Sequence, residues 1–286
     1  MSLFTDYPGT YHKITLPCSS TVAYTDEGSG NTTLLFIHGL ANYSLSWRKN
    51  TEELKKSYRC IAIDLPGNGF SDHTDRPYTM SFFANVIYEL IIALQLKNVC
   101  LVGHSMGGQI AITTVLNHPG VVKALVLCAP SGFETFSSFE KTMYQASVQF
   151  FNMFASDEQS LRQTIENSFY HYPRQADEMI DDLLLLMKEY PSQLYRKMVE
   201  GSITGMLNEP VFSSLGKINI PTLVIFGEKD ALIPNTLLHP GSPRKLATDT
   251  TKLIPGAKLK MVPDCGHFVQ WEKAGEVNKY IQQFAG

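Results

Sequence analysis

The chain is short of the features that mark specialised scaffolds. Its 286 residues include only five cysteines, Cys18, Cys60, Cys100, Cys128 and Cys265, an odd number, widely spaced and without a CxxC pair. That argues against a disulfide framework, a zinc ribbon and a redox dithiol. Three of the five lie inside apolar, strand-like runs and read as small buried hydrophobes of a reducing compartment. No stretch offers 18 uncharged apolar residues, and residues 1–8 have neither a basic n-region nor an apolar h-region. The expectation is a cytoplasmic protein with no membrane partner. Charge of either sign is also in little excess: 24 basic against 27 acidic residues give −3. Such a balance provides no broad attraction to phosphate backbones, so no nucleic-acid partner is expected. The 20 glycines and 15 prolines are ordinary in number, which excludes collagen-like and low-complexity chains.

What is present is a large apolar reserve, 44% hydrophobic residues against 18% charged, in a chain about twice the usual domain size. From residue 33 onward, short apolar runs alternate with longer helix-like segments, as when parallel strands are joined by crossover helices. The strand-like runs are residues 33–37, 59–63, 99–102, 121–128, 222–226 and 259–262, nearly all apolar and read as strands buried on both faces. Before them, residues 11–16 and 21–24 alternate polar and apolar like an antiparallel hairpin. Helices are expected over 44–57, 81–96, 108–118 and 274–284. The fold class is α/β, with a mostly parallel sheet and helices on both faces.

The alternation stops between residues 132 and 212. There, apolar residues recur at helical spacing, as in Ile180, Leu183, Leu184 and Met187. This block holds 13 of the 31 aromatic residues and six of the ten methionines. Two compatible readings follow: a helical subdomain building its own core, or an apolar roof over a ligand pocket. The expected organisation is a core of residues 1–131 and 213–286 and an inserted helical cap of residues 132–212.

Gly103-His104-Ser105-Met106-Gly107 directly follows the run 99–102 and opens the next helix. A serine on so sharp a strand-to-helix turn requires neighbours two residues away without side chains, and Gly103 and Gly107 meet that need. The turn lifts the Ser105 hydroxyl off the sheet, and the helix start directs N–H groups and a positive dipole end toward developing negative charge. Ser105 is the candidate nucleophile, and it needs a base and an orienting acid. Asp230 follows the run 222–226, and His267 follows the run ending at Val262. Carboxyl ends of parallel strands share one sheet edge, so the three can converge although 125 and 37 residues apart. Other candidates take supporting places. His104, beside the nucleophile, reads as a satisfied structural histidine; His38, before Gly39 at a strand end, as a brace for its loop; Asp64 as a hydrogen-bonded anchor of the loop that follows it; Asp264 as a cap for the turn of His267. Glu228 competes with Asp230 for the acid role.

These residues resemble the landmarks of the α/β-hydrolase fold family, in family order. They are His38-Gly39 after a strand, Asp64-x-Pro-Gly-x-Gly-x-Ser71, Gly103-x-Ser105-x-Gly107-Gly108, Gly227-x-x-Asp230 and Gly266-His267. The resemblance covers nearly the whole chain and implies an eight-stranded sheet, with the helical block in the place of the family's cap. By that analogy the oxyanion hole is formed by the backbone N–H groups of Leu40 and Met106. Ser105 separates the chain from the aspartate-nucleophile dehalogenases and epoxide hydrolases of this fold. The loop His38-Gly39-Leu40-Ala41-Asn42 lacks the His-Gly-Gly-Gly signature of one esterase group and the Gly-rich loop common in C–C bond hydrolases. Residues 234–244, with Pro234, Pro240 and Pro243, read as a long loop narrowing the pocket.

The expected function is hydrolysis of a small or medium apolar carboxylic ester by Ser105, His267 and Asp230 through an acyl-enzyme. The alternatives are C–C bond hydrolysis of a vinylogous diketone and a weakly catalytic ligand receptor on the same fold. No cluster for a metal or organic cofactor is visible, so none is expected. The acyl and alcohol groups and the oligomeric state are not legible from the sequence.

Overall fold

Continuous apolar runs separated by amphipathic segments give a layered α/β protein, and each strand alternates its side chains between two layers of helices. A computed structural model describes residues 11–154, 158–189 and 192–286. The elements are, in chain order, β1 Tyr11–Thr15, β2 Thr21–Glu27, β3 Thr33–Ile37, α1 Arg48–Leu54, β4 Arg59–Asp64, α2 Met80–Ala93, β5 Val99–His104, α3 Met106–Asn117, β6 Ala124–Cys128, α4 Ser138–Phe154, α5 Glu158–Glu166, α6 Asp177–Glu189, α7 Ser192–Asn208, β7 Thr222–Gly227, α8 Pro243–Thr251, β8 Lys258–Val262, α9 Val269–Glu272 and α10 Ala274–Ala285. The sheet order is β1-β2-β4-β3-β5-β6-β7-β8. β2 pairs antiparallel with β1 and β4, and all later pairs are parallel.

The alternation along β3 shows how the two layers form. Leu34 and Phe36 pack with Trp47, Leu54, Val277 and Ile281, under α1 and α10. Leu35 and Ile37 pack with Phe83, Ile87 and Ile110, under α2 and α3. Each such fully buried side chain contributes about 1.5–3 kcal/mol from removed apolar surface. Cys60, Cys100 and Cys128 are buried in the first of these layers as free thiols, and burial pushes Cys60 and Cys100 up to about 12.

Several boundaries depart from expectation. The helix anticipated over 44–57 opens as a 3-10 turn, Ser44–Trp47, and its α-helical part ends at Leu54. Residues 121–123 lead into β6 without belonging to it. β8 is an edge strand whose residues alternate in exposure, because successive side chains point to opposite faces and one of these faces is open to solvent. The long loop over 234–244 ends early: Ser242 accepts the Lys245 N–H, Pro243 takes the first helical position, and α8 runs on to Thr251. Leu246 and Ala247, adjacent in that polar stretch, give it no helical apolar spacing to read.

Between β6 and β7 the described residues form helices and turns without a strand, α4 to α7 being the longer elements. Ile180, Leu183 and Leu184 are buried, whereas the Met187 side chain and the leader reading of residues 1–8 lie outside the described residues. This insertion does not keep its core to itself. Phe169, Ala176, Met179 and Leu183 form one cluster with Tyr43, Leu45, Phe268 and Trp271. No helix among the described residues is long and apolar enough to cross a membrane.

Candidate active site

The parallel strands β3, β5, β6 and β7 deliver their carboxyl ends to one edge of the sheet, where the candidate residues gather. Ser105 sits between β5 and α3 at φ 53° and ψ −120°, a conformation rare for a residue with a side chain, at a cost of about 1–3 kcal/mol. The glycines around it answer a different need. A Cβ on Gly103 would lie 2.3 Å from the Gly107 carbonyl oxygen, and one on Gly107 would lie 2.3 Å from that of Ile37. The backbones therefore touch, and the positive φ falls on the serine alone. Gly39 completes the contact, since a Cβ there would stand 3.3 Å from the Ser105 Cβ. The backbone N–H groups of Leu40 and Met106 have no hydrogen-bond acceptor among the described residues and flank the same serine. Leu40 lies in the turn after β3, and Met106 opens the first turn of α3.

Asp230 and His267 meet. The Asp230 Oδ2 accepts a hydrogen bond from His267 Nδ1 at 2.9 Å, with both side chains almost fully buried. The other oxygen, Oδ1, accepts the N–H groups of Leu232 and Ile233 at 2.8 and 3.0 Å. A carboxylate only accepts, so the Nδ1 of a neutral His267 carries the proton and Nε2 is left as a base. Glu228 is turned away into an ion pair with Arg244. The Ser105 hydroxyl makes no hydrogen bond among the described residues; such contacts commonly tighten only with substrate bound. Its neighbour His104 packs against His267 with ring centroids 4.7 Å apart.

The supporting histidines are neutral. The His104 Nε2 donates to the His267 carbonyl at 3.1 Å, while its Nδ1 is buried without a partner, so the residue is only half satisfied. Burial, reinforced by His267, holds its imidazole well below the ordinary range. His38 donates from Nδ1 to the Gly39 carbonyl at 2.7 Å and accepts the Leu65 N–H at Nε2 at 3.0 Å, tying the loop after β3 to the loop after β4. Burial lowers it to about 4. Asp64 accepts the N–H groups of Ser44 and Phe70 at 2.7 and 2.9 Å, and burial raises it to about 6.

The expected cap on the turn of His267 is a correction. Asp264 is exposed in a left-handed conformation and makes no side-chain hydrogen bond among the described residues, whereas Glu272, from the helix beyond, holds the turn. Its carboxylate accepts the N–H groups of Gly266 at 2.9 Å, Tyr170 at 3.2 Å and His171 at 2.7 Å. The Ser168 carbonyl accepts the His267 N–H at 2.8 Å, and Phe169 stacks on Phe268 at 4.8 Å. Sequence reasoning missed Ser168, Phe169 and Glu272; the acidic residue five places after His267 was the one available signal.

Beside this group lies a cavity of about 280 Å3, bounded by Gln109 of α3, Glu134 and Phe136 of the β6–α4 connection, Ile203 and Met206 of α7, and Ile233 beyond Asp230. Ser105, Asp230 and His267 are not in its walls. It abuts them through Ser131, whose N–H donates to the Ser105 carbonyl at 3.0 Å, and through Leu232 and Ile233.

The elbow, the sheet order and the buried acid–imidazole pair define a protein class, and comparison agrees: residues 32–274 match the model of the alpha/beta hydrolase fold. The chain belongs to that family. It is 27% identical over 268 residues to the uncharacterized hydrolase YugF of Bacillus subtilis, covering 90% of this chain and 91% of that protein. It is 26% identical to 2-hydroxy-6-oxo-6-phenylhexa-2,4-dienoate hydrolase of Comamonas testosteroni, covering 92% and 90%. A 27% match to the dihydrolipoyllysine-residue acetyltransferase component of the acetoin cleaving system of Cupriavidus necator spans only 66% of that protein's length. In fold, the chain superposes on an esterase from Exiguobacterium antarcticum with a TM-score of 0.81 at 22% identity, covering 97% of this chain and 99% of the other.

Proposed function

We propose that the protein is a serine hydrolase of carboxylic esters with small or medium apolar acyl groups. The observation that carries this reading is the buried Asp230–His267 hydrogen bond set beside a serine on a strained elbow. Ser105 attacks the ester carbonyl as His267 Nε2 takes its proton. The same imidazole returns that proton to the departing alcohol, and the acyl-enzyme is then opened by water in the reverse order. Asp230 fixes the tautomer and stabilises the imidazolium. The Leu40 and Met106 N–H groups, without an acceptor among the described residues, receive the oxyanion, a role in which one donor is worth about 10²–10³ in rate. The helical insertion roofs the site, and the cavity beside Ser131 receives the acyl chain along Ile203, Met206 and Ile233.

The test is a p-nitrophenyl ester series from acetate to dodecanoate with fluorophosphonate labelling. Ser105→Ala should abolish labelling and lower turnover by about a millionfold with the melting temperature almost unchanged. A variant keeping more than a few per cent of activity would remove Ser105 from the nucleophile role.

A second reading, C–C bond hydrolysis of a vinylogous diketone, draws support from the Comamonas relative and from the 28% identical 2-hydroxy-6-oxononadienedioate/2-hydroxy-6-oxononatrienedioate hydrolase of Cupriavidus pinatubonensis. Turnover of such a diketone without turnover of simple esters would select it.

A further inference from the structure

The segment entering the insertion and the loop leaving Asp230 are joined by one histidine. His239 Nδ1 lies 2.8 Å from Glu134 Oε1, and Nε2 lies 3.3 Å from Glu140 Oε1. The Phe136 ring covers the imidazole, centroid to centroid 4.9 Å. Glu134 is nearly buried and also accepts the Asn235 N–H at 2.9 Å. Glu140 closes a capping box at the start of α4, its Oε2 accepting both the N–H and the hydroxyl of Ser137 at 2.7 Å. His239 thus touches the residue that anchors the first helix of the insertion.

The Glu134 carboxylate only accepts, so Nδ1 donates to it, and Nε2 faces Glu140 at ion-pair distance. The other titratable or charged groups nearby are Tyr144, one turn along α4, Lys141 in the same cavity wall, and Asp230, whose charge acts on Glu134. Burial raises Glu134, and His239 offsets that rise. Glu134, Phe136 and Asn235 line the cavity beside Ser131.

We propose that His239 is a positioning residue, a clasp between Glu134 and Glu140 that fixes the start of α4 and with it the width of the cavity, and so the preference among acyl chains. The selectivity consequence rests on the ester-hydrolase reading; the clasp does not.

Hydrogen exchange separates the two parts. In the full-length protein at constant pH, with exchange corrected for intrinsic rates, protection of residues 134–143 should fall about fivefold in His239→Gln. Arginine can donate to both carboxylates, so His239→Arg should retain most of that protection. Glu140→Gln retains the capping box but not the ion pair, and should lose protection as His239→Gln does; it carries the comparison if His239→Gln does not fold. In the ester series, the ratio of kcat/KM for hexanoate over acetate should change in His239→Gln and return toward the wild-type value in His239→Arg. Unchanged protection in His239→Gln, or an Arg variant no better than Gln, would overturn the clasp. An unchanged chain-length ratio beside lost protection would overturn its role in selectivity, and the absence of any ester turnover would instead count against the hydrolase reading.

Discussion

Gly107→Ala tests the claim that the elbow is built by backbone contact. The added Cβ would lie 2.3 Å from the Ile37 carbonyl oxygen, 2.5 Å from that of His38 and 2.8 Å from the Ile37 carbonyl carbon. Relief needs a shift of about 1 Å to reach ordinary van der Waals separation. Neither side can give it cheaply. Ile37 is locked in register with Ile63 on β4 and Gly103 on β5, and Gly107 is in the first turn of α3 behind the strained Ser105. Overpacking of this kind costs about 1–3 kcal/mol, and with backbone on both sides the upper end applies. At about 2–4 °C per kcal/mol for a chain of this size, the melting temperature should fall by about 6–12 °C. Activity should fall further than stability, because the same shift separates the Leu40 and Met106 N–H groups, and a displaced oxyanion donor lowers kcat by about 10²–10³. Gly275→Ala is the control: nothing lies within 4 Å of its added Cβ, and it should melt at or above the wild-type temperature. Thermal melts and kcat/KM on p-nitrophenyl butanoate decide the matter. A Gly107→Ala protein melting within about 2 °C of wild type, with activity intact, would show that the close approach is not what requires glycine.

Asp230→Asn should lower ester turnover by about 10⁴ through loss of the imidazole tautomer, whereas Glu228→Gln, which only frees Arg244, should leave it nearly unchanged; steady-state kinetics on the two variants separates the acids. For His38, the native state declines a proton that the unfolded chain accepts between about pH 6.5 and the native value of about 4, so its contribution to stability falls as pH falls through that window. The stability gap between wild type and His38→Gln should accordingly narrow by about 3 kcal/mol from pH 7 to pH 4 in urea titrations, whereas a constant gap would place the charged imidazole in the native state. Phe169→Ala removes the ring stacked on Phe268 and should destabilise by about 3–5 kcal/mol, with kcat falling as the turn of His267 loosens; a loss of stability with kcat unchanged would detach the insertion from the role proposed for His267.

The layered sheet was legible in the order of residues, because strands buried on both faces must be apolar along their length and the helices between them must carry one apolar stripe. Also legible were the residues that stand after the carboxyl ends of β3, β5, β7 and β8, since those places follow from where each apolar run stops. The sharp turn at Ser105 was legible in the same way: only a missing Cβ on Gly103 and Gly107 lets it close. What the tertiary structure decided are relations between segments with no shared local pattern. The choice of Asp230 over Glu228 as the neighbour of His267 depends on the Leu232 and Ile233 N–H groups and on Arg244, which turn one carboxylate inward and the other out. The replacement of Asp264 by Glu272 depends on a helix returning to the turn after it has passed. Above all, the sharing of one apolar cluster by Phe169, Met179, Phe268 and Trp271 could not be read along the chain. Burial rewards any apolar partner of suitable shape whatever its distance in sequence, so periodicity shows that a face will be covered and only the folded chain shows by what.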